Sequence, residues 1–422
     1  MHSTPGTGSR LRNTLMAAAA VTFTVFIVLN PDPAFRAAVN GLGVWWDIVF
    51  PALLPFFIGS EILMGLGVVH LMGVLLEPFM RPVFNVPGAG SFVMAMGLAS
   101  GYPIGAMLTA RLRNEGLCSV TEGERLMSFT NTADPLFMTG AVAVGMFGRA
   151  DAAMVILAAH YLSSLSVGVL LRFYRPGADR TPPIAARHGR SMAARAWYAL
   201  NDARERDGRP FGKLLGDAVR NSVNTLLLIG GFIILFAVLV QVLDAVGAVA
   251  ALGGLIGRVL ALVGVDTAVA GSLVSGVFEI TIGAQAASRA AAGLLPRLVA
   301  ASAIIAWSGL SVHAQVASMT QGTGMQMGPY VAARFVHAWL AGLYTVLLWR
   351  PAQAMTRNVS LPASWLAAPG AAGGQLWALR LRSFGIATGT MLLAVGMLFA
   401  FRTTLQGVTF VFIDRPPRRR RR

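Results

Sequence analysis

Two carboxylates, Asp134 and Glu279, lie deep within apolar stretches of this sequence. In a membrane such a group is costly, so it normally faces the interior of a helix bundle or a wet cavity. There it can bind a cation, exchange a proton or hold a polar solute. The structural alternative is that each carboxylate caps a broken helix, because exposed backbone amides at a helix start attract negative charge. Both interpretations stay open at this point.

Uncharged polar side chains and one histidine interrupt the same apolar regions. Such groups can line a binding cavity without a large desolvation cost, and they are equally suited to hydrogen bonds between membrane helices. His313 could exchange a proton, bind a solute or bond to a helix carbonyl. The candidate substrate- or ion-binding residues are Tyr102, Asn131, Asp134, Glu279, Ser311, His313 and Gln315.

The elements that must position these residues are apolar segments interrupted at matching places. Gly101–Ala106 and Glu279–Ala284 begin 178 positions apart. Each is followed about 30 residues later by a polar run, Asn131–Pro135 in one half and Ser308–Gln315 in the other. Few letters are identical at this offset, so the repeated order of features carries the inference. Interrupted hydrophobic segments in both halves are typical of a transporter with a solute site near the middle of the membrane.

Backbone at these interruptions is expected to be unwound. Proline removes an amide donor, and glycine tolerates conformations that other residues avoid. The glycines are also compatible with close packing of helices. The predicted hinge residues are Gly101, Pro103, Gly105, Gly276, Gly283 and Gly309.

Composition places the chain among helical membrane proteins. Of its 422 residues, 55% are hydrophobic and 12% are charged, whereas soluble domains carry about 25% charged residues. Backbone in lipid must satisfy its own hydrogen bonds, so helices are the default, and the alternation of a β-barrel is not visible. The predicted fold class is an all-α polytopic membrane protein. We expect about eight to ten membrane segments in two repeats with broken or re-entrant helices.

The net charge of +16 does not indicate nucleic-acid binding. The basic residues flank apolar segments instead of gathering on one soluble domain, which is how membrane topology is encoded. The predicted partner is therefore the lipid bilayer, together with a small polar solute. No nucleic-acid partner is expected, and a homo-oligomer is left open.

The order of these features divides the chain into five parts. Within the first repeat, Thr121 and Glu124 have the spacing of a capping box, which predicts that a helix begins there. The predicted parts are an N-terminal membrane helix at 1–34, a first repeat at 35–173, a basic linker at 174–213, a second repeat at 214–350, and a C-terminal helix with an arginine-rich tail at 351–422.

Metal and enzyme chemistry find little support in the sequence. Cys118 is the only cysteine, and Glu279 with His313 would supply too few ligands for a zinc or iron site. Neither a nucleophile elbow, nor a phosphate-binding loop, nor a His-Glu-x-x-His motif occurs. The sequence therefore predicts no metal, no cofactor and no enzymatic activity. An intramembrane protease using Asp134 and another carboxylate is the remaining enzymatic alternative.

Several of these motifs resemble the YlbJ-type sporulation integral membrane proteins. The similarity covers roughly residues 40–350, and its most specific string is Gly309–Gln315. The other motifs that carry the resemblance are Gly101–Ala106, Arg111–Gly116, Ser128–Asn131 and Gly276–Gly283.

This resemblance implies a pair of Gate-type repeats, similar to the membrane domain of ferrous-iron transporters and to nucleoside-transporter-like proteins. It also implies a multi-pass protein of endospore formation, in the mother-cell membranes around the developing spore, where it could join a sporulation membrane complex. The expected function is that of a permease or channel-like protein for a small polar solute. The alternative is a structural or assembly protein without transport activity, because fold kinship does not fix function.

Overall fold

The computed structural model of the protein describes residues 7–182, 191–262 and 264–358, and every regular element within these ranges is a helix. The predicted all-helical class is confirmed. The expected C-terminal helix near 384–401 and the arginine-rich tail lie outside the described residues.

The helices of the N-terminal half begin with a long apolar helix and continue through the first repeat. They are α1 (Thr7–Leu29), α2 (Pro31–Val44), a π-helical turn (Trp45–Val49), α3 (Phe50–Gly65), α4 (Val68–Phe84), α5 (Gly90–Ser100), α6 (Ile104–Asn114), α7 (Val120–Thr130), a π-helix (Phe137–Met146) and α8 (Ala150–Leu171).

The second half begins with a linker helix and repeats the same order. Its elements are α9 (Met192–Asp207), α10 (Phe211–Ala245), α11 (Ala248–Leu262), a 3-10 turn (Thr267–Val269), α12 (Ala270–Phe278), α13 (Ile280–Arg289), α14 (Leu294–Trp307), α15 (Gly309–Met319) and α16 (Met327–Asn358).

The two repeats follow one plan. In the first, α5 and α6 are two pieces of one broken segment, and the break between α7 and the π-helix 137–146 lies beyond them. In the second, α12 and α13 form the equivalent broken segment, and the break between α14 and α15 follows. Two repeats with broken helices are therefore confirmed. The polar run at Ser308–Gln315 was expected to be unwound. In the structure all of it except Ser308 is helical.

Four described helices are long and apolar enough to cross a membrane: α8, α10, the combined Leu294–Met319 and the Met327–Trp349 part of α16. Two bent pairs, α1–α2 at 103° and α3–α4 at 82°, would each add one broken span. The described residues thus hold four to six spans by length and composition. Eight to ten were expected over the whole chain. The difference arises because several apolar helices near the breaks have only 10–17 residues, and because the segment near 384–401 is not described.

Helix α16 shows the inverted polarity of a membrane helix. Its face toward the protein buries Tyr330, Arg334 and His337, each 0% exposed. Its opposite face exposes Phe335 and Trp339, at 59% and 68%. A soluble helix would place its polar residues outward, so this arrangement fits a helix that faces lipid on one side and a polar interior on the other.

The basic linker carries a helix that packs on the first repeat. Ala196 and Ala199 of α9 are buried against Val74 of α4. At its C-terminal end, hydrogen bonds from the Arg209 guanidinium hold the pKa of the Asp207 carboxyl below its usual value. Arg209 also pairs with Asp217 at 3.1 Å, so the linker is tied to the start of α10.

Candidate functional site

The two breaks of each repeat lie against each other. Gly101, just after α5, has φ = 83°, a left-handed backbone that favours glycine. A Cβ at Gly101 would lie 2.8 Å from Asp134 Oδ2. In the second repeat Gly309 has φ = 77°, and a Cβ there would lie 3.0 Å from the carbonyl oxygen of Phe278 and 3.1 Å from the Cα of Glu279. In both repeats a glycine therefore lets one break approach the acidic residue of the other, at its side chain for Asp134 and at its backbone for Glu279.

This packing leads to a test with a matched control. Gly309→Ala places a methyl group against the backbone beside Glu279 and also strains the left-handed conformation. Gly322→Ala has the same backbone strain at φ = 81° but meets nothing within 4 Å. We expect the control to lose about 1–2 kcal/mol of stability and Gly309→Ala to lose about 1–3 kcal/mol more from overpacking. Thermal unfolding of the detergent-purified variants measures this, and equal losses would contradict the close approach.

Both carboxylates cap the helix that follows their break. Glu279 Oε2 accepts a hydrogen bond from the Ile282 N–H at 2.8 Å. Asp134 Oδ1 accepts one from the Phe137 N–H, also at 2.8 Å. These amides belong to the first helical turn, which leaves its N–H groups without intrahelical partners. The capping interpretation is therefore present in the geometry. A cap needs only one acceptor oxygen, however, and neutral residues supply it well, so capping alone does not account for an acidic residue at both breaks.

A cavity of about 340 Å³ lies where the breaks of the two repeats meet. This volume falls in the range of small-molecule sites, about 300–1,000 Å³. Asp134 from the first repeat and Glu279 from the second both line it, and most of the remaining wall is apolar. The lining residues are Val44, Val49, Leu53, Tyr102, Ala133, Asp134, Leu136, Phe137, Gly140, Ala141, Ile229, Ile233, Glu279, Ile280, Thr281, Ser311, Val312 and Gln315.

Ser311 and Gln315 are the unpaired polar groups of this cavity. They lie one helical turn apart on α15, and they are 1% and 3% exposed. Neither side chain forms a hydrogen bond with another residue in the described part of the chain. Most buried polar side-chain atoms have a hydrogen-bond partner in the protein or an ordered water. The hydrogen-bonding groups of both side chains therefore face the cavity without a partner from the described chain.

Tyr102 lines the cavity, but its hydroxyl is already engaged. It donates to the carbonyl oxygen of Ile305 at 3.0 Å and accepts from Arg334 Nη1 at 3.3 Å. These bonds run from the break of the first repeat to helices of the second. Tyr102 thus contributes its ring to the cavity wall and uses its hydroxyl to join the repeats.

Two predicted site residues lie outside the lining of the cavity. Asn131 donates from Nδ2 to the hydroxyl of Tyr330 at 2.9 Å, and its Oδ1 accepts from the Ala106 N–H at 3.4 Å. His313 donates from Nδ1 to the carbonyl oxygen of Gly309 at 2.7 Å, and its buried Nε2 has no partner among the described residues. Their roles in solute binding stay predictions, and the contacts that they form hold the backbone and the helices together.

The predicted hinge residues divide into two groups. Gly101 and Pro103 lie in the break itself, and Gly309 begins α15 in a left-handed conformation. The other three lie inside helices instead of in unwound backbone. They permit close approach, as at Gly276, where a Cβ would lie 2.5 Å from a side-chain atom of Ile304. The helix-resident glycines are Gly105 in α6, Gly276 in α12 and Gly283 in α13.

Arg334 is a central residue that sequence reasoning missed. Its guanidinium is fully buried and donates to the carbonyl oxygens of Ser128, Asn131 (2.8 Å) and Ala306 (3.5 Å). The first two carbonyls end α7 and the third lies in the last turn of α14. Helix C-termini leave carbonyls without partners and carry partial negative charge. One arginine therefore satisfies the equivalent helix ends of both repeats at once.

Two histidines behind the first-repeat break were also missed. His160 Nε2 accepts the Ala133 N–H at 3.1 Å, directly before Asp134. His337 donates from Nε2 to the carbonyl oxygen of His160 at 3.0 Å, and the two rings lie 4.7 Å apart. These bonds satisfy an amide that the break leaves free. The described residues contain no group of three or more His, Cys, Asp or Glu side chains positioned to hold a metal ion.

Comparison with known proteins places this architecture in a family. The Gate model, described as nucleoside recognition, matches residues 47–172 and 226–339. This is more than half of the chain. The protein belongs to the Gate family. The two matched ranges contain both pairs of breaks and every lining residue of the cavity except Val44.

A well-matched curated relative is the sporulation integral membrane protein YlbJ of Bacillus subtilis. It is 44% identical over 349 residues, which cover 81% of this chain and 84% of YlbJ. An uncharacterised protein of Alkalihalophilus pseudofirmus is 28% identical over 177 residues, covering 40% of this chain and 36% of that protein. Together with the apolar helices, these matches identify an integral, multi-pass membrane protein, and neither relative carries the name of an enzyme.

Solved structures of CNTnw variants are also similar to this chain. One, in an intermediate 3 state, is 16% identical to this chain. The match covers 82% of this chain and 89% of the CNTnw chain, with a TM-score of 0.45. Another, in an outward-facing state, is 15% identical to this chain. That match covers 80% of this chain and 87% of the CNTnw chain, with a TM-score of 0.40.

Proposed function

We propose that the protein is a permease or channel-like protein that moves a small polar solute across a membrane during endospore formation. The observation that carries the proposal is the shared cavity, in which Asp134 of one repeat and Glu279 of the other line the same space. Transporters built from repeats bind their solutes at such a repeat interface. The sporulation context comes from the relationship to YlbJ. The same relationship favours the mother-cell membranes around the spore as the location.

The unpaired side chains of Ser311 and Gln315 support a binding role over a purely structural one. A polar group buried without a partner costs about 1–3 kcal/mol in proteins. In a protein that only needs to pack, apolar residues of similar shape would be more stable at these positions. A cavity that admits water and solute removes this cost, because the solute supplies the missing hydrogen bonds.

The second candidate function is a structural or assembly protein of the sporulation membranes. One observation favours it: the side-chain amide of Asn131 and the guanidinium of Arg334 form their hydrogen bonds with other helices and not with the cavity. Under this alternative the cavity would bind nothing.

A retention experiment separates the two functions. The full chain in nanodiscs is equilibrated with soluble metabolites from sporulating cells, and the retained small molecules are identified by mass spectrometry. We expect the wild type to retain a solute that the double variant Ser311→Ala, Gln315→Leu loses, while both proteins keep similar thermal stability. The loss should be about tenfold or more, since each hydrogen bond left unmade costs roughly 1 kcal/mol.

Ser302→Ala is the matched control. Ser302 is 1% exposed and its hydroxyl also has no partner in the described structure, but it lies outside the cavity lining. This variant should retain the solute as the wild type does. Retention of no solute by the wild type, or equal retention by the double variant, would favour the assembly function.

A further inference from the structure

Helix α8 holds the backbone of the first-repeat break at the residue before Asp134. His160 Nε2 accepts the Ala133 N–H at 3.1 Å. The hydroxyl of the next residue, Tyr161, is shared between the carbonyl oxygens of Leu98 at 2.6 Å and Ala133 at 3.3 Å. Both backbone groups of Ala133 are therefore held by consecutive residues of one helix. Because Asp134 follows directly and lines the cavity, these bonds fix the backbone from which its side chain enters the cavity wall.

The first-repeat break needs such support more than the second-repeat break does. Four consecutive residues, Asn131–Asp134, lie outside helices in the first repeat, whereas only Ser308 does so between α14 and α15. Non-helical backbone at membrane depth must find its hydrogen bonds on neighbouring elements, because lipid supplies none. The wider break therefore depends on side chains of the adjacent helix, and α8 provides them.

The second repeat supports α8 in turn through an equivalent histidine. His160 lies ten positions after Ala150, the first residue of α8, and His337 lies ten positions after Met327, the first residue of α16. The same place in the last helix of each repeat is thus a buried histidine. The rings lie 4.7 Å apart, and His337 Nε2 donates to the carbonyl oxygen of His160 at 3.0 Å. One chain of contacts therefore runs from α16 through His160 to the break.

The hydrogen bonds fix opposite tautomers on the two histidines. His160 Nε2 faces an amide N–H and must keep its lone pair, so its ring proton lies on Nδ1. His337 Nε2 faces a carbonyl oxygen and must carry a proton. A second buried positive charge beside Arg334 would be costly, so the His337 ring is neutral. His160 holds the break only in its neutral form, since a proton on Nε2 would place two donors against each other.

We propose that His160 is a positioning residue of the cavity. In its neutral Nδ1–H tautomer, and held by His337 of the other repeat, it fixes the first-repeat break so that position 134 faces the shared cavity. Neither histidine is among the residues that line the cavity, so His160 acts through Ala133. Such positioning is required whichever solute the cavity takes. The alternative is a histidine that only fills space in the core, where any side chain of similar volume would serve.

NMR spectroscopy tests the tautomers. The full chain is labelled with 13C and 15N in its histidines only and is reconstituted in lipid bilayers, where solid-state spectra distinguish protonated from unprotonated ring nitrogens. The chain contains six histidines, and the signals lost in His160→Gln and in His337→Gln assign the two rings. We expect a protonated Nδ1 on His160 and a protonated Nε2 on His337. A protonated Nε2 on His160 would overturn the proposal.

Variants of different reach test the positioning. Glutamine can place an acceptor where His160 Nε2 lies, asparagine is shorter, and leucine has no acceptor. Asp134→Cys in a Cys118→Ser background reports on position 134 through its labelling by a small thiol reagent in nanodiscs. We expect this labelling to slow about fivefold with His160→Leu or His160→Asn, because one buried hydrogen bond is lost. With His160→Gln it should stay near the rate seen with the native histidine.

Thr281→Cys is the matched control, because Thr281 lines the cavity from the second repeat. Its labelling should be the same in all three His160 variants. Equal labelling of Asp134→Cys in those variants would overturn the positioning role, as would no labelling with the native histidine. A parallel change at Thr281→Cys would also overturn it, since a general loosening of the fold produces that result.

Two features keep the test decisive. If His160→Leu does not accumulate, the comparison of asparagine with glutamine and the tautomers of the wild type still decide. Neither the labelling nor the spectra require transport, so a failure here leaves the proposed function to be judged by retention of a solute.

Discussion

Glu279→Gln should accumulate in the membrane at the wild-type level and yet fail to support spore formation. Glutamine keeps an oxygen that can accept the Ile282 N–H, so α13 remains capped. It cannot ionise, whereas Glu279 presents an ionisable carboxyl group to the cavity. We expect solute binding to fall about tenfold to a hundredfold, the value of one charge-assisted hydrogen bond. The assay counts heat-resistant spores when the variant replaces YlbJ in Bacillus subtilis, with the wild-type chain as reference.

The control for Glu279→Gln is another capping carboxylate outside the cavity. Asp266 accepts the Ala268 N–H at 3.0 Å and is exposed. Asp266→Asn makes the same chemical change and should leave spore yield unaltered. A wild-type yield from Glu279→Gln would reduce Glu279 to a helix cap. Loss of the Glu279→Gln protein from the membrane would show that the Glu279 carboxyl is needed for folding. Either result contradicts a role of Glu279 in binding alone.

Arg334→Gln should destabilise the protein more than Gly309→Ala or any of the cavity substitutions. It leaves buried carbonyls at the ends of α7 and α14 without their donor. Each of the three carbonyls left unsatisfied costs about 1–3 kcal/mol, so the expected loss is about 3–9 kcal/mol. Proteins are stable by only about 5–15 kcal/mol, and the amount of folded protein should therefore fall sharply. Thermal unfolding in detergent and membrane abundance both measure it.

Two comparisons make this prediction specific. Arg334→Lys keeps the charge, but a single ammonium cannot reproduce the fork that reaches both helices, so we expect only partial recovery. Arg220→Gln removes an exposed arginine of α10 and should unfold at the wild-type temperature. An unchanged melting temperature for Arg334→Gln would show that the two helix ends do not depend on it.

The repeated breaks could be predicted because they depend on residue types within short stretches of the sequence. Glycine, proline and polar residues inside apolar segments cannot continue a lipid-facing helix without cost, and the same order occurs twice. Helix boundaries are harder to predict. Thr121 and Glu124 predict a helix start, but Ser119 is the N-cap and forms the capping box with Glu122. Both pairs have the same spacing, and the sequence alone does not choose between them.

The polar interior of α16 could not be predicted from overall hydropathy. That helix is apolar on average over its membrane-length part, so its few polar residues do not stand out. A signal was nevertheless present: Tyr330, Arg334 and His337 are spaced i, i+4 and i+7, which places them on one helix face. An arginine in a membrane helix normally faces the protein interior. Its partners could not be foreseen, because they are backbone carbonyls from two distant helices.

The two interpretations of the carboxylates are compatible. Asp134 and Glu279 were expected either to cap helices or to line a site, and each does both. The position of Asn131 in the sequence predicts a place in the site, but the structure pairs its side chain with Tyr330. Which polar group of a break faces the cavity depends on the rotation of the neighbouring helices, and that is a tertiary property.

If the two repeats build one solute-binding cavity, a bound solute should protect cysteines from both repeats against a thiol reagent. Ala141 of the first repeat and Thr281 of the second both line the cavity, whereas Ala193 lies exposed on the linker helix. Each is changed to cysteine singly in a Cys118→Ser background, and its labelling by a small thiol reagent is timed with and without the metabolite extract. We expect both cavity cysteines to be protected at the same extract concentration, and the cysteine at Ala193→Cys to be labelled equally fast with and without the extract. Protection of only one cavity cysteine, or of neither, would contradict it.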